Sequence, residues 1–149
     1  DNTDVAGAHA LQVAIRDALP ALATPQVAVW GGGGVLPALR AAFPQALYFA
    51  ARTGHSREGN LDARRCDPDV VIWAAPAHAA CLPPPARWTP QVVADVSYAD
   101  ASPARAYALA TQARFVSGLV WFQAQAAGQR TFWAAVAPSH SLRARNTGP

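Results

Sequence analysis

The sequence predicts an α/β protein with a Rossmann-like, doubly wound and mostly parallel sheet that carries helices on both faces. Short runs of β-branched and aromatic residues alternate with stretches of helical periodicity, and four glycines, Gly31 to Gly34, directly follow the first such run. Strands that alternate with helices form a parallel sheet, because each helix carries the chain back to the same starting edge. We expect about six strands, with the glycines at the carboxyl edge of the first.

Helices are predicted at 5–19, 36–43, 103–113 and 119–135, and strands at 26–30, 46–50, 69–73, 91–95 and 114–117. Thr3 or Asp4 can cap the first helix, which ends before Pro20. The polar segment 53–66 separates the second and third strands. The prolines at 83–85 indicate a surface loop before the fourth strand, because proline cannot donate to a sheet ladder.

The length of 149 residues fits one domain with one core. We assign residues 1–137 to a nucleotide-binding domain and residues 138–149 to a polar C-terminal tail. The net charge is only +3 and the twelve basic residues, all arginine, are scattered along the chain, which argues against nucleic-acid binding. No apolar run reaches the roughly 18 residues of a membrane span. The chain has no methionine, so we expect a fragment whose missing part lies upstream.

The cysteines and histidines give no metal signature. Cys66 and Cys81 fit no metal-ligand spacing and indicate free thiols in a reducing cytoplasm. The four histidines form no HxxxH or HxH pair, so no metal site is assigned; they are His9, His55, His78 and His140. Four tryptophans are expected in the core or in a pocket wall, namely Trp73, Trp88, Trp121 and Trp133.

The glycine run is the strongest chemical signal in the sequence. Gly31 permits a tight turn and Gly33 lets the backbone approach a pyrophosphate, while the amides at the start of the following helix face the anion. Leu36 departs from the G-x-G-x-x-G/A fingerprint, which has a small residue there. A glycine-rich turn that binds no ligand is the alternative interpretation.

The end of the second strand indicates which dinucleotide is bound. NAD-binding proteins usually place an acidic residue there, on the ribose 2′-hydroxyl. This sequence has Arg52 and Thr53 instead, which offer hydrogen bonds to a 2′-phosphate, with Arg57 as a possible second cation. An exposed loop arginine without a ligand is the simpler alternative.

Four further polar residues say little in isolation. Asp4 could be a helix cap, Tyr98 a loop aromatic and Gln125 a polar position on the last helix. Asp95, at a strand end, is more often a turn or cap residue than a catalyst.

Taken in order, these segments resemble the C-terminal NADP-binding domain of the shikimate and quinate dehydrogenase family. The N-T-D-G entry of that family is similar to residues 2–5, its G-A-G-G turn to residues 31–34 and its N-R-T segment to residues 51–53. Its N-A-T strand end resembles residues 73–75, with Trp73 and Ala75 as departures. Its D-x-x-Y element and its final G-L-G-M-L-x-x-Q-A-A element resemble residues 95–98 and 118–127, where Val120 and Trp121 depart from the pattern.

The resemblance implies reversible hydride transfer between NADP(H) and a cyclic hydroxy acid such as shikimate. Asp4 would be the carboxylate partner of a catalytic lysine, and Tyr98 and Gln125 would hydrogen-bond the substrate. The lysine would belong to an upstream N-terminal substrate domain, so this chain would be inactive alone. The cofactor-binding residues would be Gly31, Gly33, Gly34, Arg52, Thr53 and Gly118.

Two alternatives stay open. A divergent, non-catalytic domain of the same fold could bind a nucleotide or a partner protein. A Rossmann methyltransferase is disfavoured by Arg52 and Thr53, which stand where an acidic ribose ligand is expected.

Overall fold

The computed structural model describes residues 3–59, 61–76, 80–99 and 101–136. The predicted tail, residues 138–149, lies outside these ranges, as do Asn2 of the entry motif and two of the histidines, His78 and His140. Among the described helices, none is both long and apolar enough to cross a lipid bilayer.

All nine predicted helices and strands are present, with ends that differ from the predictions by at most three residues. The helices are α1 (Thr3–Ala18), α2 (Leu36–Ala42), α3 (Pro103–Ala110) and α4 (Leu119–Val136). The strands are β1 (Val27–Gly31), β2 (Leu47–Phe49), β3 (Val70–Ala74), β4 (Val92–Asp95) and β5 (Arg114–Val116). Thr3 and Asp4 lie inside the first turn of α1, so the expectation that either residue caps the helix from outside was wrong.

The strands form one parallel sheet in the order β2-β1-β3-β4-β5. The described residues contain five strands, one fewer than the number expected. At the β2 edge the chain folds back instead of adding a parallel strand, and single antiparallel bridges join Phe49 to Ser56 and His55 to Asp62. The strand order reverses its direction of winding between β1 and β3, and α/β proteins of this kind bind their ligands at such a point.

Helices and loops bury both faces of the sheet, as the continuous apolar strands predict. One face packs under α1 and α2 and under Trp121 of α4. The other face packs under α3 and under the loop that carries Trp88. Successive residues of β1 alternate between the two cores, with Val29 in the first and Ala28 and Trp30 in the second.

The tryptophan predictions hold at three of four positions. Trp73, Trp88 and Trp121 are buried, but Trp133 is 66% exposed, so its assignment to a core or a pocket wall was wrong. Trp133 lies near the end of α4. Trp121, which packs on α1, lies near the start of the same helix.

Candidate functional site

The glycine turn lies at the carboxyl ends of β1 and β3, as predicted. Gly31 ends β1 and has a φ of 102°, in the region that favours glycine. A Cβ added there would stand 2.7 Å from the amide nitrogen of Ala75. The amide of Gly32 donates to the carbonyl oxygen of Ala74 at 3.1 Å. Gly31 therefore allows the two strand ends to approach closely at the point where the direction of winding reverses.

The second half of the turn faces outward. Gly33 and Gly34 are exposed and begin a short 3-10 helix (Gly33–Val35) that leads into α2. A Cβ added to either residue would meet no other atom within 4 Å. Leu36, which departs from the fingerprint, packs beside Gly32, since a Cβ on Gly32 would stand 2.9 Å from the Leu36 Cδ1. The open backbone at Gly33 and Gly34 can accommodate a ligand at the sheet edge.

A cleft of about 870 Å³ lies between the loop that follows β2 and the loop that follows β3. Trp30, the residue before Gly31, lines it, whereas Gly31 to Gly34 do not. Its apolar wall includes Trp30, whose indole Nε1 donates to the carbonyl oxygen of Leu82 at 2.8 Å. Its rim is polar and carries both signs of charge. The wall contains Trp30, Leu61, Leu82, Pro83 and Pro85. The rim contains Thr53, His55, Ser56, Asp62 and Arg64.

The structure separates the three residues predicted to hold a 2′-phosphate. Thr53 lines the cleft, whereas Arg52 and Arg57 are exposed and do not. Arg57 follows the antiparallel bridge at the β2 edge, and its amide donates to the Tyr48 carbonyl oxygen at 2.7 Å. Because this position is outside the lining of the cleft, the expectation that Arg57 is a second cation there is not met.

Two charged residues of the cleft were missed from the sequence. Asp62 and Arg64 lie in the polar segment between β2 and β3, and they reach the cleft because the antiparallel bridge between His55 and Asp62 folds that segment back. No motif marks this fold-back, so composition alone could not have identified either residue.

Three residues were predicted for catalysis and substrate binding. Asp4 lies in the first turn of α1, Tyr98 in the loop after β4 and Gln125 on α4. Gln125 donates a hydrogen bond from Nε2 to Asp4 Oδ1, across the interface of α1 and α4. Tyr98 is 62% exposed and packs against Phe122, with ring centroids 4.7 Å apart and the rings tilted by 40°. The structure therefore brings Asp4 together with Gln125 and places Tyr98 beside the same helix.

Gly118 contributes to this region by packing rather than by an open backbone. A Cβ on Gly118 would collide with the carbonyl group of Ser97, one residue before Tyr98. The absence of a side chain at Gly118 lets the start of α4 lie against the segment that follows β4. This contact orients Tyr98 and α4 relative to each other.

Asp95 is a structural residue, as the sequence favoured. Its carboxylate accepts from the Ser97 amide at 2.8 Å and from the Ser102 hydroxyl, and Ser102 caps α3. Burial raises the pKa of Asp95 above its usual range, and the hydrogen bonds from Ser102 and Ser97 oppose that shift. Asp95 therefore holds the loop between β4 and α3.

Two of the departures from the family pattern belong to the packed interior. Trp121 lies against Gly7 of α1, where an added Cβ would be 2.7 Å from the indole ring. Trp73 is buried against Tyr107, and neither its Nε1 nor the Tyr107 hydroxyl has a hydrogen-bond partner among the described residues. Within the same ranges, no group of three histidine, cysteine, aspartate or glutamate side chains could hold a metal ion.

No protein-family model matches the chain, and no curated protein matches it significantly in sequence. Solved structures share its fold. A shikimate 5-dehydrogenase-like protein matches with a TM-score of 0.61 and 18% identity, over 93% of this chain and 58% of its own. A shikimate dehydrogenase in complex with NADP+ matches with a TM-score of 0.61 and 20% identity, over 91% of this chain and 56% of its own.

The quinate dehydrogenase from Corynebacterium glutamicum in complex with NAD matches with a TM-score of 0.58 and 19% identity, over 91% of this chain and 58% of its own. The chain thus spans less than three fifths of each of these three proteins. At these identities the likeness confirms the predicted Rossmann-like α/β fold.

Proposed function

We propose that this chain is the NADP(H)-binding domain of a shikimate or quinate dehydrogenase-like oxidoreductase. The observation that carries the proposal is the position of the glycine turn. Gly31 to Gly34 lie at the carboxyl edge, where the winding direction reverses, and the cleft lies between loops that leave the same edge, with Trp30, the residue before Gly31, in its lining. Dinucleotides bind at this position in doubly wound sheets.

The residues present fit a dinucleotide phosphorylated on its adenosine ribose. Gly33 and Gly34 leave space for phosphates to approach the backbone. Leu61, Leu82 and Pro83 give the cleft an apolar wall that suits a planar base, and Thr53 in its lining offers a hydrogen bond to a 2′-phosphate. Arg52 does not line the cleft, but it is exposed and precedes Thr53, so its long side chain would extend toward that phosphate. When bound, NADP+ would supply the hydride acceptor of the reaction.

The second group of residues would handle the substrate. Asp4, held by Gln125, would orient the side chain that takes the hydroxyl proton, and Tyr98 would donate to an oxygen of a cyclic hydroxy acid. The chain contains no lysine, so the proton acceptor of the related enzymes would come from a separate substrate domain. The greater length of the three structural relatives supports this division of the site.

Calorimetric titration of this chain with NADP+ and with NAD+ tests the proposal. We expect tighter binding of NADP+, and we expect Arg52→Ala to weaken NADP+ binding by about 1.5–3 kcal/mol, the usual contribution of a hydrogen bond to a charged group. NAD+ binding should barely change in this variant. Failure of the unmodified chain to bind either nucleotide would refute the proposed function, and equal losses for both would refute the role of Arg52.

A further inference from the structure

The polar rim of the cleft is formed by two parts of the loop between β2 and β3. One is the turn after β2, which contains Thr53, and the other is a 3-10 helix (Ala63–Arg65) preceded by Asp62. An antiparallel bridge between His55 and Asp62 joins the two parts, and the Ala50 amide donates to the His55 carbonyl oxygen at 2.8 Å. These contacts hold the two parts of the rim in a fixed position relative to each other.

The short helix that carries Arg64 is anchored to the buried core. The indole Nε1 of Trp88 donates to the Ala63 carbonyl oxygen at 2.9 Å, and both residues are buried. The guanidinium of Arg87 donates to the Arg64 carbonyl oxygen. Asp62 Oδ1 accepts from the Arg64 amide at 2.9 Å and caps the helix. The backbone of Arg64 is thus held at both its amide and its carbonyl.

The charges around the rim leave Arg64 available to a ligand. Arg40 pairs with Glu58, so that carboxylate already has a cationic partner. Arg64 makes no ion pair within the described part of the chain. Its nearest acidic neighbour along the chain is Asp62, whose Oδ1 is used by the Arg64 amide. Arg52 and Arg57 do not line the cleft.

We propose that Arg64, on the 3-10 helix bridged to the Thr53 turn, is a phosphate-recognising cation of this cleft, and that Asp62 limits the preference for a phosphorylated ribose. This inference rests on the proposed nucleotide site and names its specificity-determining residues. A guanidinium binds phosphate oxygens through two parallel hydrogen bonds, which supports discrimination between NADP and NAD. The Asp62 carboxylate repels the same phosphate and gives the rim an opposing charge.

The test measures dissociation constants for NADP+ and NAD+ in the full chain with four substitutions. Arg64→Gln should raise the constant for NADP+ about tenfold and change that for NAD+ less than twofold. Asp62→Asn keeps an oxygen that can cap the helix, and it should lower the constant for NADP+ severalfold. Arg57→Gln is the matched control and should change neither constant more than twofold. Arg64→Lys keeps the charge but not the two parallel hydrogen bonds, so it should retain only part of the preference for NADP+.

The outcomes separate this inference from the proposed function. An unmodified chain that binds neither nucleotide overturns both. Binding of NADP+ that Arg64→Gln leaves unchanged, or that Arg57→Gln weakens more, overturns the role of Arg64 alone. Weaker NAD+ binding in Asp62→Asn would show that Asp62 accepts from a ribose hydroxyl, which also overturns the proposal. If Arg64→Gln does not fold, Arg64→Lys decides, because it should still bind NADP+ more weakly than the unmodified chain and NAD+ equally well.

Discussion

Gln125 on α4 donates a side-chain hydrogen bond to Asp4 in the first turn of α1, and so joins residues 121 positions apart. The pair lies on the contact between α1 and α4, near the packing of Gly7 on Trp121. Both residues were selected from the sequence for chemical roles. Their contact shows that they also fix the relative position of the two helices.

The coupling between these two side chains can be measured. We expect Asp4→Ala and Gln125→Ala each to lower the free energy of unfolding, with a coupling of about 1 kcal/mol in the double-mutant cycle because the bond is only partly buried. Urea unfolding followed by circular dichroism gives the four values. Asp4→Asn, which keeps an acceptor oxygen, is the control. Strictly additive losses would contradict the bond.

Two glycines of the turn should respond differently to alanine. Gly31→Ala combines a positive φ with contacts of 2.7–2.8 Å to the backbone of Ala74 and Ala75, so we expect a loss of at least about 2 kcal/mol of stability. Gly34→Ala has an ordinary φ and open space, so its stability should change by less than about 1 kcal/mol.

The same pair distinguishes folding from binding. The new methyl group of Gly34→Ala would occupy space where we place the phosphates, so this folded variant should bind both dinucleotides more weakly. Thermal unfolding and calorimetric titration give the two measurements. Unchanged nucleotide affinity in Gly34→Ala would place the phosphates elsewhere.

Tyr48, which is buried, and Tyr107, which is partly buried, should make the protein sensitive to alkali. Burial raises the pKa of Tyr48 to about 12 and that of Tyr107 to about 12, above the ordinary value of 10.0. Between these values the unfolded chain loses protons that the folded chain retains, so stability is full below pH 10 and falls as the pH rises toward 12. Urea unfolding between pH 7 and pH 11 should show this decline, with a smaller slope in the Tyr48→Phe, Tyr107→Phe double variant.

At neutral pH the two single variants should differ in their effect on the free energy of unfolding. Tyr48 donates to the Phe43 carbonyl oxygen at 2.9 Å, so Tyr48→Phe should lose about 0.5–1.5 kcal/mol. The Tyr107 hydroxyl has no partner in the described residues, so Tyr107→Phe should be neutral or stabilising. Equal destabilisation by the two changes would contradict the difference in their hydrogen bonds.

The chain alone should reduce no NADP+ with shikimate or quinate as substrate. Hydride removal from a hydroxyl-bearing carbon needs a group that accepts the hydroxyl proton, and the lysine that would do so has no counterpart in this sequence. Turnover is measured as the increase in absorbance when NADPH forms. Nucleotide binding by the same chain is measured in parallel as the control. Turnover by this chain would refute the need for a second domain. Bound nucleotide with no turnover even after an N-terminal substrate domain is added would favour the non-catalytic alternative.

The sequence predicted the sheet well because its signals are local. Each strand is an apolar run bounded by turn residues, and the glycine turn follows directly from four consecutive letters. Thr53, predicted to bind the cofactor just after the second strand, lines the cleft, and its role there stays a prediction. The charges of the rim were not predicted, since Asp62 and Arg64 reach the cleft only through an antiparallel bridge that no local pattern encodes. Trp133 was misjudged because a large apolar residue gives no indication of which helical face is covered.

The fold-back that brings Asp62 to the cleft also protects the sheet from self-association. Ala50 donates to His55 and Tyr48 accepts from Arg57, so backbone groups at the outer edge of β2 already have partners. An unpaired edge strand would offer those groups to another chain and promote aggregation. A variant that loosens this segment should therefore become less soluble as it loses the cleft, and the concentration at which it precipitates would report on the same contact.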